Sequence, residues 1–297
     1  MAGKLHEAVH AFEAVVLKEK EHSEAWRMLG MCHAENDEDK KAILCLERAV
    51  EEDPYNLDAQ VALGVSYVNE LKYDKALAAL KSWITHNPKF HGLKVSGPEE
   101  VDDAYGAPDS KLDDVMHLML KATAWDSTDP EVQVRPKRLG HHQCFVIAHR
   151  VRAHVCVCVC VPQIVLGVLY NVSRDYDSAI AAFQQALDAK PDDYSLWNKL
   201  GATRANSSRS EQAVPAYRRA LELKPSYARG WLNLGISHAN LGHYRDAAKA
   251  YMAALKLNPG ADHIWTYLRI ALTCLKRFDL VELTQREDVS EFASFDL

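Results

Sequence analysis

The sequence predicts an all-α chain, a solenoid of stacked helical hairpins, on three observations. First, one pattern is written twice between Tyr194 and Ala261. Trp197, Leu200, Gly201, Ala213, Tyr217, Ala220 and Pro225 return 34 residues later as Trp231, Leu234, Gly235, Ala247, Tyr251, Ala254 and Pro259. Second, the residue types suit a helical hairpin: Gly and Ala where its two helices cross closely, aromatics against the next hairpin, Pro closing the second helix. Third, an earlier stretch repeats the frame, with Trp26, Leu29, Gly30, Ala42, Leu46, Ala49 and Pro54.

That period and those residue types are the tetratricopeptide signature. The expected fold is a superhelical tetratricopeptide repeat solenoid with a C-terminal helical cap. Residues 1–22 carry only the back half of a repeat, with Ala8 and Phe12 at the small and aromatic places of a second helix. Its partner would precede Met1, so the chain is expected to be a fragment or to begin late. Residues 23–90 hold two repeats; Trp83 stands where Ala is usual, so packing onto the next segment should differ. Residues 91–130 are a degenerate repeat or hinge, with loop chemistry at Gly97-Pro98 and Gly106-Ala107-Pro108. A helix should restart behind a Ser110 cap, before Leu112, Val115, Met116, Leu118 and Met119. Residues 164–261 hold three repeats, the first marked by Leu166, Gly167, Tyr170, Ala179, Phe183, Ala186 and Pro191. Residues 262–297 are expected to form a helical bundle, with Ile264, Leu268, Ala271 and Leu275 on one stripe and a second helix from Val281 to Phe295. A solenoid needs such an atypical end to close its apolar face.

Residues 134–163 interrupt a helix that otherwise reads from Gln133 into Ile164. The run Val155-Cys-Val-Cys-Val-Cys-Val161 is what a TG dinucleotide repeat encodes, Val134 needs a codon beginning GT, and Gln163 can be CAG. We therefore expect a retained intron, disordered in the protein; transcripts containing only the insert-bearing form would refute this. His141, His142, Cys144, His149 and His154, with Cys156, Cys158 and Cys160, have zinc-ligand chemistry, but their spacing matches no standard module. The Arg and Lys residues around 135–152 read as a solvated loop before a nucleic-acid patch.

Composition excludes several classes. The chain of 297 residues has a formal net charge of -6 and no long basic block, which argues against a nucleic-acid footprint. Seven cysteines without an apolar signal core point to a reducing compartment and no disulfide framework. No apolar stretch is long enough to span a bilayer. Ser207-Ser208 lack a paired His and Asp at recognisable spacing, and no Gly-rich phosphate loop occurs. The chain is expected to be no enzyme and to need no cofactor or metal.

Scaffold positions do not explain the asparagines. Asn69, Asn206 and Asn240 share the thirteenth place of their repeats, and Asn198 and Asn233 sit earlier on the first helices of theirs. Arg229, Asn233 and Asn240, spaced four and seven, share one helix face. First helices line the concave side of this superhelix, so these side chains should converge on its groove. An amide offers donors and an acceptor together and can hold a peptide backbone, while Arg229 and Lys199 would favour a terminal carboxylate. The alternative is that Asn at a helix end merely suits the turn; recurrence in three repeats favours the groove. Glu35 and Asp37 either form a solvated helix end or meet a Lys of the ligand.

The strings Trp197-Asn-Lys-Leu-Gly-Ala-Thr-Arg-Ala-Asn206, Asn233-Leu-Gly-Ile-Ser-His-Ala-Asn-Leu-Gly242 and Val65-Ser-Tyr-Val-Asn-Glu70 closely resemble the peroxisomal targeting signal type 1 receptors. Tyr170-Asn171, Asp175-Tyr176 and His263-Ile-Trp-Thr-Tyr-Leu-Arg-Ile-Ala-Leu272 resemble them too. The resemblance implies a cytosolic receptor, cycling to the peroxisomal membrane, that wraps the C-terminal Ser-Lys-Leu-type tripeptide of matrix cargo proteins. It implies that Asn69, Asn198, Asn206, Arg229, Asn233 and Asn240 hold the tripeptide, with Val65, Lys199, Ala202 and Tyr176 nearby. A peroxisomal docking complex is implied as a further partner. None of the six Trp is followed at the fourth place by Phe or Tyr, so the docking motifs of that family are absent from this sequence. The alternatives are a chaperone-adaptor repeat domain gripping acidic tails with lysines, a channel-regulating scaffold, or a non-functional truncated isoform. Asn-rich rather than Lys-rich groove positions argue against the first.

Overall fold

In a computed structural model, residues 3–90, 108–127 and 162–292 are described, and among them helices and turns occur without a strand. The helices are α1 (Gly3–Lys18), α2 (Ser23–Glu35), α3 (Asp39–Glu52), α4 (Leu57–Asn69), α5 (Tyr73–His86), α6 (Pro108–Ser127), α7 (162–172), α8 (Tyr176–Ala189), α9 (Tyr194–Asn206), α10 (Ser210–Leu223), α11 (Ala228–Asn240), α12 (Tyr244–Leu257), α13 (Asp262–Cys274) and α14 (Phe278–Leu283). Two compact units emerge: Met1–Glu52 with Asp193–Leu297, and Asp53–Asp192. The expected retained-intron segment and its zinc-like side chains lie outside the described residues, apart from 162 and 163.

The hairpins draw on a small set of local devices. Side chains cap some helix starts: Asn56 accepts from the Ala59 N–H at 3.1 Å, and Asp193 from the Ser195 and Leu196 N–H groups at 2.9 and 3.1 Å. Between the two helices of a hairpin one residue turns left-handed: Asp37, Leu71, Arg174, Ser208, Gly242 or Lys276. The following N–H then bonds back five residues, as from Glu38 to His33 at 2.9 Å and from Arg209 to Arg204 at 2.9 Å. This satisfies carbonyls that the helix end leaves open. A second device links hairpins. Trp26, Trp231 and Trp265 each donate the indole N–H to the carbonyl six residues earlier, at 2.8, 2.9 and 3.1 Å, and Gln60 does the same to Pro54.

Small residues permit the helix crossings. A Cβ on Gly201 would stand 2.7 Å from the Tyr217 ring, and one on Gly235 2.5 Å from the Tyr251 ring. Ala213 and Ala247, on the second helices, are wholly buried. In the first unit Ile264, Trp265, Leu268 and Leu272 of α13 join Tyr251 and Leu255 of α12 in one core. The N-terminal end of that unit packs Val16 of α1 against Ala25, Leu29 and Cys45. In the second unit Trp83 is buried and packs on Phe90, their ring centres 5.8 Å apart, so the bulky residue takes a local aromatic partner.

Two expectations change. Helix α6 begins at Pro108, not behind Ser110, because proline suits a first helical turn, where no N–H bond is needed. At the C-terminus no single helix covers 281–292: α14 runs Phe278–Leu283 and is followed by 3-10 turns Thr284–Arg286 and Val289–Phe292. The repeat geometry persists further than the residues announce. Helix α13 keeps the left-handed turn at Lys276, but Arg269 stands where a repeat has Gly, and its Nε donates to Thr284 Oγ1 at 3.1 Å.

Candidate functional site

Helices α9 and α11 are the first helices of consecutive hairpins and lie side by side in the first unit. Their facing sides bring Asn198 and Asn233 together: Asn233 Nδ2 donates to Asn198 Oδ1 at 3.1 Å. Asn198 is 6% exposed, so its amide is held in an environment that strengthens polar contacts. Lys199, half-buried beside it, donates to Ser195 Oγ at 2.5 Å, and Ala202, one turn on, is half-buried. Asn206 and Asn240 end α9 and α11, and both are exposed. The turns beyond them are closed by backbone bonds, from Ser208 to Ala205 and Gly242 to Ala239, and use neither amide. Val65, Asn69 and Tyr176 belong to the second unit: Val65 is half-buried on α4, Asn69 ends that helix exposed, and Tyr176 begins α8 half-buried.

Arg229 is engaged within the chain. Its Nη2 lies 2.9 Å from Asp37 Oδ1 and 2.5 Å from Asp39 Oδ2. Burial disfavours its charge, but Asp39 and Asp37 outweigh this and hold the guanidinium above its usual range. Its Nε is buried with no hydrogen-bond partner among the described residues.

The α2–α3 turn is the other half of this constellation. Glu35 accepts from the Tyr194 hydroxyl and from Lys224 Nζ, and Lys224 lies 4.5 Å from the centre of the Tyr194 ring. Asp37 pairs with His263 Nε2 at 2.9 Å as well as with Arg229. Asn258 Nδ2 donates to the Asn36 carbonyl at 3.0 Å. Burial, and then the Glu35 carboxylate, raise the Tyr194 phenol above its usual range, so it stays a donor. Glu35 and Asp37 are therefore neither a solvated helix end nor open acceptors. Sequence reading missed Lys224, Tyr194, Asn258, His263 and Asp39 here, and no local pattern could reveal contacts spanning up to 226 residues.

These chemistries define a repeat scaffold offering paired amides on consecutive first helices, with one neighbouring cation committed internally. A family profile described as tetratricopeptide repeat matches residues 2–57 and 166–228, and a second of the same description matches 228–261. Together they cover more than half of the chain, which belongs to the tetratricopeptide repeat proteins. Among named relatives it is 39% identical over 210 residues to the peroxisomal targeting signal receptor of Yarrowia lipolytica, covering 70% of this chain and 30% of that protein. It is 37% identical over 217 residues to the mouse PEX5-related protein, covering 71% and 33%. It is 43% identical over 182 residues to peroxisome biogenesis protein 5 of Arabidopsis thaliana, covering 61% and 20%. The chain thus spans a third or less of the length of these relatives.

Proposed function

We propose that this chain is the cargo-binding repeat region of a type 1 peroxisomal targeting signal receptor. It captures the C-terminal Ser-Lys-Leu-type tripeptide of matrix proteins reversibly, without catalysis, in the cytosol, on a receptor that cycles to the peroxisomal membrane. The observation that carries this reading is the Asn198–Asn233 amide pair, in a chain 39% identical to a peroxisomal targeting signal receptor.

The chemistry follows from the amide. Each Asn can accept from a peptide N–H and donate to a peptide C=O, so an extended backbone is gripped whatever its side chains. Asn198 and Asn233 already satisfy part of each other, which holds both side chains in orientation before ligand arrives. Asn206 and Asn240 extend the amide row towards the ends of α9 and α11, and Ala202 leaves room beside it. Val65, Asn69 and Tyr176 join the proposal through the family resemblance. Arg229 faces two carboxylates of its own chain, so Lys199 is the cation assigned to the terminal carboxylate. Arg229 fixes the α2–α3 turn.

The test is calorimetric titration of a peptide ending in Ser-Lys-Leu into wild type, Asn198→Ala and Asn233→Ala. Each truncation should weaken binding by on the order of 1–3 kcal/mol, because it leaves buried peptide groups unpaired. Wild-type affinity in both variants would overturn the assignment.

A further inference from the structure

The turn between α11 and α12 gathers three side chains able to ligate a metal. His238 lies on the last turn of α11, His243 is the residue before α12, and Asp246 sits in that helix's first turn. Gly242, at a φ of 76°, turns the chain, and the His243 N–H bonds to the His238 carbonyl at 2.9 Å. That reversal brings together residues that would diverge along one helix. A ring nitrogen of each histidine and a carboxylate oxygen of Asp246 all lie within 4.8 Å of one another. His238 is 6% exposed, and its Nδ1 is buried without a hydrogen-bond partner among the described residues. Buried side-chain nitrogens rarely go unmatched.

We propose that this turn binds a divalent transition-metal ion, best Zn2+, through His238, His243 and Asp246, with water completing the shell. Two imidazoles and one carboxylate with an open fourth place is a zinc-type donor set, whereas Mg2+ and Ca2+ prefer oxygen ligands alone. Donors held at about 2.0–2.2 Å from a tetrahedral centre stand roughly 3.3–3.6 Å apart, so the set must close slightly. His243 and Asp246 are exposed and can rotate inward, while the buried His238 ring stays as the fixed post. Charge acts in both directions: Asp246 favours a cation beside His238, and Arg218 of α10 opposes it. The bound ion would tie α11 to α12 and stabilise the hairpin bearing Asn233 and Asn240, since it binds the folded turn and not the unfolded chain. This inference is independent of what the amides hold.

The test uses the full chain, stripped by a chelator, beside His243→Ala and Asp246→Asn, each with its fold checked by circular dichroism. Zn2+ is titrated into each by calorimetry, and the thermal midpoint is read with and without the ion. Histidines and cysteines elsewhere in the chain also take zinc, so the readout is the difference from wild type. Loss of a mere outer-shell partner costs about 10–100-fold in metal affinity, so loss of a ligand should cost no less. Wild type should bind one equivalent at least about tenfold more tightly than either variant, with a larger rise in midpoint. Equal stoichiometry and equal midpoint shifts in all three proteins would overturn the proposal, as would the same difference produced by Mg2+.

Discussion

The guanidinium of Arg229 stands 2.5 Å from the carboxylate of Asp39, 190 residues earlier in the chain. Asp37 binds the same nitrogen at 2.9 Å, and the side chains of Arg229 and Asp39 are only 11% and 8% exposed. One cation thereby joins α11 to the α2–α3 turn. Removing one member of such a buried set leaves the others charged and unpaired. Arg229→Ala should destabilise the chain by about 3–5 kcal/mol, read as a lower urea midpoint. A midpoint unchanged from wild type would contradict the role given to this pair.

The helix crossings make a second prediction. A Cβ on Gly235 would meet the Tyr251 ring at 2.5 Å, and Tyr251 is 2% exposed, held within the core. Overpacking costs about 1–3 kcal/mol, more than the roughly 0.5–1 kcal/mol that Ala gains over Gly within a helix. Gly235→Ala should therefore lower stability in thermal unfolding. Gly260→Ala, where the nearest neighbouring atom is 4.0 Å away, should stay close to wild type.

A third prediction concerns acid. Burial works to raise the Glu38 carboxyl, but hydrogen bonds from Lys41 and His33, at 2.7 and 2.8 Å, bring it below the usual range. A depressed folded value means that its stabilisation is fully present above the unfolded value, about 4.3. It is lost as pH falls from there through the lower folded value. Glu38→Gln should therefore flatten the acid limb of a stability-against-pH curve in that window. An acid limb identical to wild type would show that the three-way contact contributes nothing.

Thiol reactivity supplies a fourth. Burial, and then Glu13, push the Cys45 thiol up to about 11; burial, and then Glu35, raise that of Cys32. The thiolate is the reactive form, and both side chains are buried, whereas Cys274 is exposed. Iodoacetamide near neutral pH should label Cys274 well before Cys32 or Cys45 in peptide mapping. Equal labelling of Cys45 and Cys274 would mean that the core around α2 and α3 opens readily.

The repeats are legible because their constraints are local. Gly201 and Gly235 are required by rings sixteen residues on, and Ala213 and Ala247 by the same crossings. The Trp positions read as apolar filling, yet their indole N–H groups also tie each first helix to the carbonyl of Pro225 or Pro259. Helix α13 escaped the repeat frame because Arg269 replaces the crossing Gly and hydrogen-bonds Thr284 instead. The Asn198–Asn233 contact was foreseeable as a shared face on consecutive hairpins. The commitment of Arg229 to Asp37 and Asp39 was not, because closure between the α2–α3 turn and α11 leaves no periodic trace. The His238, His243 and Asp246 cluster went unseen for a related reason: a left-handed glycine, not helical spacing, brings these residues together.

The most direct measurement compares one Ser-Lys-Leu peptide carrying a free terminal carboxylate with the same peptide as an amide, titrated into the wild-type chain. An acidic-tail peptide serves as competitor. Charge-assisted hydrogen bonds contribute about 1.5–3 kcal/mol, so the free acid should bind tighter by about tenfold or more, and the acidic tail should not displace it. Equal affinity for acid and amide would contradict capture of a free chain terminus with Lys199 of α9 holding its carboxylate.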